Sequence, residues 1–156
     1  MTDEFKIERI SESNFNDFVY LIEKLAEYEK LEPPDDEAKV RLKRDGLSED
    51  PKYEAYLGFL NGKPIGYIIF FFTYSSFLAM PTLYLEDILI LEEYRRKGFG
   101  EKLFNFCVKQ AQLRECGRME WCVLTWNEPA IKFYEKIGAS RLNWFFYRLT
   151  KEEFMK

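Results

Sequence analysis

The sequence predicts an α/β protein with a mixed sheet in the order β-α-α-β-β-β-α-β-α-β, helices covering both faces. Three observations carry this. The near-continuous apolar stretch 83–91 has strand length and leads through Arg95-Arg96-Lys97-Gly98-Phe99-Gly100 into a segment where Phe99, Leu103, Phe106, Cys107 and Ala111 recur at helical spacing. Two β-rich runs, 53–60 and 65–73, flank Asn61-Gly62, the dipeptide that best supports a tight hairpin. Residues 15–30 and 127–138 carry further helical patterns on either side of these strands. Because a long helix links the fourth and fifth strands, those two must be parallel neighbours in an otherwise antiparallel series.

Taken in order, residues 5–10 alternate as a first strand, and Ser11-Glu12-Ser13-Asn14 offers caps for a helix whose apolar face is Phe15, Phe18, Val19, Ile22, Leu25 and Ala26. Pro33-Pro34 stops it. Asp35 or Asp36 can cap a second helix with a sparse apolar side (Ala38, Val40, Leu42), which reads as peripheral, either bordering a substrate mouth or padding the surface. After the hairpin and the 82–91 strand, the long helix ends at Gly117 and residues 119–125 make a short strand. Asn127 caps a helix that tolerates Pro129 in its first turn and closes at Gly138, and the aromatic-rich 141–149 reads as a last strand.

The chain has 156 residues, the size of one domain spanning 1–156, and 47% of them are hydrophobic, so it can bury a core. A net charge of −4 argues against nucleic acid or an anionic membrane as partner and is compatible with cationic small molecules. Cys107, Cys116 and Cys122 lack metal-ligand spacing and there is no histidine, so no metal and no Ser-His or Cys-His nucleophile is expected. With no signal-like apolar stretch at 1–6 and no apolar run of membrane-spanning length, the expected location is cytoplasmic.

The turn at 95–100 sits where a strand hands over to a helix N-terminus. Unpaired backbone N–H groups, the positive end of the helix dipole, two glycines and three consecutive cations converge there, so a phosphate or pyrophosphate is the expected guest. Taken alone, the same turn would also suit a helix start with a solvated basic face. The Walker A and Gly-x-Gly-x-x-Gly spacings are absent.

The pattern Arg-x-x-Gly-x-Gly, Arg95 to Gly100, resembles the pyrophosphate turn of the GNAT superfamily of N-acetyltransferases. Leu-Ala-Glu-Tyr-Glu at 25–29, Phe-Phe-Thr-Tyr at 71–74, Leu-Tyr-Leu-Glu-Asp at 83–87 and Trp-Asn-Glu-Pro-Ala-Ile-Lys-Phe-Tyr-Glu-Lys-Ile-Gly-Ala-Ser at 126–140 resemble, more narrowly, the diamine (spermidine/spermine) and thialysine acetyltransferases. The resemblance implies the GNAT fold, acetyl-CoA as co-substrate, a small primary amine as acceptor and a homodimer, for which the aromatic stretch 144–147 would suit an interface.

Residue by residue, the resemblance implies that backbone at Ile88, Leu89 and Ile90 pairs with the pantetheine arm like an added strand. It likewise implies that Arg95, Arg96, Lys97, Gly98, Phe99 and Gly100 hold the pyrophosphate and that Asn127 meets the cofactor arm. Tyr134 matches the family's general acid, a phenol able to protonate a departing thiolate, although a core tyrosine would also fit a helix's apolar face. Glu86 matches a substrate-side carboxylate that orients the amine and starts a water relay, structural ion pairing being its rival role. Glu86 and Asp87 alternate along a strand, so only one of them is expected to face the cleft. Glu29, Glu32 and Trp144 match acidic and aromatic positions of the amine site.

Some positions depart from the polyamine pattern. Ser75 stands where an aspartate is found, Phe77 where a tryptophan is found, and the loop after Ser140 is short and carries Arg141. These leave the acetyl-transfer half intact and weaken the case for long polyamines. Protein or peptide N-acetylation and a non-catalytic CoA-binding domain are the alternative readings.

Overall fold

A computed structural model describes residues 2–156. Its contacts divide into two compact units, the first ending at Cys122 and the second running from Val123 to Lys156.

The first unit contains β1 (Phe5–Arg9), α1 (Phe15–Glu29), α2 (Asp36–Gly46), β2 (Glu54–Leu60), β3 (Lys63–Ser75), β4 (Met80–Ile90), α3 (Phe99–Leu113) and β5 (Arg118–Glu120), with a single 3-10 turn at Glu92–Tyr94. The five strands lie in the order β1-β2-β3-β4-β5. The first three pairings are antiparallel, and β4 to β5 is parallel over Thr82–Tyr84 only. The mixed sheet and the crossover through α3 are therefore as the sequence predicts.

Local chemistry explains the elements. Asn61 (φ 51°) and Gly62 (φ 81°) both occupy the left-handed region that the β2–β3 hairpin turn requires. Asp35 is the residue that caps α2, its Oδ1 accepting from the Ala38 N–H at 2.8 Å. Asn14 precedes α1 but bonds outward, accepting from the Ser11 N–H and donating to the Arg9 carbonyl, and so it fixes the strand-to-helix corner.

Strand alternation sends side chains to two cores. On one face Ala55 and Leu57 of β2, Tyr67 and Ile69 of β3 and Leu89 of β4 pack with Phe15, Phe18 and Leu21 of α1. On the other, Tyr56 and Phe70 stack at 5.9 Å and Tyr56 meets Phe106 of α3 at 4.5 Å. Over that second face, Arg114 at the end of α3 forms a two-pronged ion pair with Glu54, itself joined by Arg9, and its guanidinium lies 4.7 Å from the Phe72 ring centre.

Gly66 shows how closely β3 and β4 approach: a Cβ there would stand 2.4 Å from the Leu89 carbonyl oxygen. Gly66→Ala should therefore force β3 and β4 apart and lower stability by about 1–3 kcal/mol in urea unfolding.

The second unit holds α4 (Glu128–Lys136), with the Asn127 side chain accepting from the Ala130 N–H, and α5 (Lys151–Phe154), opened by a reciprocal Thr150–Glu153 capping box. The last strand expected at 141–149 is not formed: this stretch has no regular secondary structure, and the sheet ends at β5. Apolar residues favour a strand only where a neighbour accepts their backbone hydrogen bonds, and no strand pairs with these residues. The fifth strand is also shorter than the expected 119–125, because its pairing with β4 stops at Glu120. Among the described residues no helix is long and apolar enough to cross a membrane.

Candidate active site

The first unit contains a cleft of about 390 Å³ lined by Ile22 of α1, Pro34, Ala38 and Leu42 of α2, Tyr53, Ile69 and Phe71 of β3, and Glu86 and Asp87 of β4. Most of its lining is apolar, and Glu86 and Asp87 bring two adjacent carboxyl groups to it. Helix α2, peripheral by its sequence, supplies one wall, and the Tyr53 hydroxyl holds it by donating to the Leu42 carbonyl at 2.6 Å.

Strict alternation would send Glu86 and Asp87 to opposite faces. The pairing between β3 and β4 slips instead: Ile69 pairs with Asp87 and Phe70 with Leu85, leaving Glu86 as an extra residue in a β-bulge. Both acids consequently line the cleft, and the expectation that only one would is corrected.

Asp87 is the more enclosed of the two. The buried Tyr67 hydroxyl donates to its Oδ2 at 3.2 Å. Burial, then the charges of Glu86 and Glu29, push the Asp87 carboxyl up to about 6, against the lowering effect of the Tyr67 bond. Burial and Glu86 also raise Glu29, at the end of α1. Three carboxylates from two elements thus share one negative field.

This arrangement carries a stability cost with a definite sign. The folded carboxyl, near 6, lies above its ordinary 3.8, so the associated stability is fully present below about pH 3.8 and is lost as pH rises through about 6. Asp87→Asn removes the penalty, and at pH 7.5 it should stabilise the fold by on the order of 2–3 kcal/mol. Thermal melts of the two proteins should diverge at pH 7.5 and converge near pH 4.

Among the described residues, no strand pairs with β4 beyond Tyr84 on the side away from β3. The Leu91 N–H donates to the Ile65 carbonyl, so odd-numbered residues here exchange bonds with β3 and the backbone groups of Ile88 and Ile90 point to the opposite edge. That edge can accept an extended, amide-bearing ligand. Leu89, between them, turns its backbone to Tyr67 and its side chain into the core.

The turn after β4 has the form an anion requires. Arg96 (φ 62°) and Gly98 (φ 86°) take left-handed conformations, and Gly98 forms the N-cap of α3 without any side-chain cap. The first-turn N–H groups of Phe99, Gly100 and Glu101 therefore have no helical partner, and the dipole's positive end faces outward with them. Arg95 is used differently from its neighbours: its Nε donates to the Ile90 carbonyl at 2.8 Å and its guanidinium lies 4.6 Å from the Tyr28 ring centre. Its side chain ties the turn to β4 and to the last turn of α1, while the Lys97 ammonium lies 5.8 Å from the Tyr94 ring centre.

Glu32 is exposed in the loop between α1 and α2 and is not part of the cleft lining. In the second unit Tyr134 lies on α4 beside Phe133, their ring centres 5.5 Å apart, with Asn127 capping the same helix. Trp144 belongs to the irregular stretch and is 81% exposed. Sequence reasoning missed the cleft position of Asp87 and the parts played by Tyr67 and Tyr53; the sparse apolar side of α2 had left a place at a substrate mouth open, and the signal for Asp87 was an acid pair inside an apolar strand.

The profile of the Acetyltransferase (GNAT) family matches residues 16–139. L-ornithine N5-acetyltransferase NATA1 of Arabidopsis thaliana is 47% identical over 105 residues, 65% of this chain but 46% of that protein, so the match spans less than half of that relative's length. The thialysine N-epsilon-acetyltransferase of Bos taurus is 30% identical over 158 residues, covering 94% of this chain and 92% of the relative. Among solved structures, the aminoglycoside N-acetyltransferase AAC(6')-Iy in complex with CoA superposes with a TM-score of 0.81 at 16% identity, covering 97% of each chain, which is a likeness of fold.

Proposed function

The chain belongs to the Acetyltransferase (GNAT) family, and from that premise we propose that it transfers the acetyl group of acetyl-CoA to the nitrogen of a small primary amine: a diamine, a polyamine or a lysine-like amino acid. The observation that carries the acceptor is the cleft of about 390 Å³, mostly apolar in its lining and carrying the carboxyl groups of Glu86 and Asp87. An aliphatic amine has the matching chemistry, a methylene chain for Ile22, Ala38 and Phe71 and a cation for the carboxylates.

Acetyl-CoA fits the second feature of the first unit. Its pyrophosphate suits the N–H groups opening α3 with Arg96 and Lys97 nearby in sequence, and its pantetheine amides suit the backbone groups of Ile88 and the N–H of Ile90, the Ile90 carbonyl being taken by Arg95. Asn127, matched by the sequence resemblance, would meet the same arm. The amine would attack the thioester directly, in a ternary complex with no acyl-enzyme, while Glu86 holds and orients the ammonium. Glu29, and more remotely Glu32, add negative field, and Trp144 is assigned a cation–π contact with the amine by the same resemblance. Tyr134 is the proposed general acid that gives its phenolic proton to the departing sulfur.

The substrates in the relatives' names, ornithine and thialysine, support a lysine-like or diamine acceptor. The exposed aromatic residues Trp144, Phe145 and Tyr147 support association of two copies through that segment, which sizing of the purified protein tests. The decisive experiment is release of free thiol from acetyl-CoA in the presence of aliphatic amines of graded length. Amine-dependent release is expected with short diamines and lysine analogues. Release no faster than without amine would overturn the proposal.

A further inference from the structure

The β-bulge leaves two adjacent acids in the lining of the cleft, and the reaction above uses only Glu86. Building on the acetyl-transfer reading, we propose that Asp87, held in place by the hydroxyl of Tyr67, accepts the ammonium proton of the substrate while Glu86 holds the cation.

Three geometric observations point to Asp87. It lines the cleft next to Glu86, on the same side of the sheet. Tyr67 occupies Oδ2 from beneath at 3.2 Å and is itself fully buried, which fixes the carboxyl group's orientation. Its Oδ1 has no protein hydrogen bond, and among the described residues no buried side-chain polar atom lacks a partner, so Oδ1 opens toward solvent in the cleft.

The charged and titratable groups facing Asp87 are Glu86 on its own strand, Glu29 from α1 and Tyr67 from β3. The first two oppose a second negative charge and favour a proton on Asp87. An ordinary surface aspartate, ionising near 3.9, takes a proton from an amine poorly. A carboxyl group pushed up to about 6 is a better base, and the apolar walls disfavour the ammonium form of the bound amine as well.

The step balances as follows. One ammonium proton passes to Asp87 Oδ1, freeing the nitrogen lone pair. The nitrogen bonds to the acetyl carbon and the carbon–sulfur bond breaks. The departing sulfur takes up one proton, matching the second proton lost from nitrogen, and Asp87 releases the first proton to water. Amine cation and thioester become amide, free thiol and one solvated proton.

The test is the pH dependence of kcat/KM for acetylation of a short diamine by the wild type, Asp87→Asn, Tyr67→Phe and Glu86→Gln. The wild type should show an acid limb near pH 6. Asp87→Asn should lose that limb and about 100-fold or more in kcat, with KM for acetyl-CoA unchanged. Tyr67→Phe removes a bond that favours the charged carboxylate and should move the limb up by about half to one pH unit, whereas Glu86→Gln removes a repelling charge and should move it down.

Tyr67→Phe retains both carboxyl groups and so reads out the proposal independently of Asp87→Asn. A limb that survives Asp87→Asn with the rate intact, or that vanishes in Glu86→Gln, overturns the assignment while leaving acetyl transfer standing. A wild-type protein that releases no thiol with any amine overturns acetyl transfer and this assignment together.

Discussion

Tyr134→Phe is expected to lower kcat for acetyl transfer by about 100- to 10,000-fold, the range typical of a lost general acid. Without the phenolic proton the thiol must leave as a thiolate into an apolar site or wait for a proton from water, and either route raises the barrier. The same substitution keeps the ring and its neighbour Phe133 on α4, so acetyl-CoA affinity measured by calorimetry should change by less than about threefold. This separates the two parts of the proposed function. An enzyme loses turnover and keeps its ligand, while a protein that only binds CoA has no turnover to lose. Full acetyl transfer by Tyr134→Phe would remove the residue from the reaction.

Phe18→Ala should carry the largest stability loss. Phe18 is completely buried, its ring 5.7 Å from those of Phe15 and Tyr67 and 6.3 Å from that of Tyr53. Truncation removes transfer energy and leaves a cavity at the junction of α1 and β3, at a cost of about 3–5 kcal/mol, a large share of the 5–15 kcal/mol typical of a domain. In thermal unfolding that corresponds to a drop of about 10 °C. The consequence reaches function, because Tyr67 and Tyr53, the two tyrosines that brace Asp87 and α2, both rest on this ring. KM for the amine should therefore rise more than KM for acetyl-CoA. A loss below about 1 kcal/mol would show that Phe18 does not support the cleft.

Arg95 illustrates a similar separation between position and use. The sequence places it in a basic turn with Arg96 and Lys97, and nothing in the spacing distinguishes the three cations. In the structure its guanidinium is spent on the Ile90 carbonyl and the Tyr28 ring, contacts between residues 5 and 67 positions apart that no local pattern encodes. The anion-binding form of the turn rests instead on backbone: the left-handed Arg96 and Gly98 and the uncapped first turn of α3. The glycines and the open helix start were legible in advance because glycine at a strand-to-helix junction has a local conformational meaning, whereas the left-handed Arg96 was not.

The elements of the first unit were legible for the same reason. Helical and strand periods, Asn61-Gly62 and the caps at Asp35 and Asn127 are properties of short segments, and they fix what each segment can be. What a strand pairs with is not such a property. Residues 141–149 have the composition of a strand and form none, since a strand needs a neighbour, and α5 follows where Thr150 and Glu153 satisfy each other's backbone groups.

By itself, then, the sequence determined the order of elements through α4, the mixed sheet, the phosphate-ready turn and the family to which these belong. Only the tertiary structure decided that Glu86 and Asp87 share one side of β4, that Tyr67 lies beneath Asp87, and that α2 walls the cleft. The physical reason is the register slip between Ile69 and Phe70: one extra residue in β4 reverses the facing of the side chains that follow, and such a slip depends on how two strands twist against each other, not on the identity of either acid.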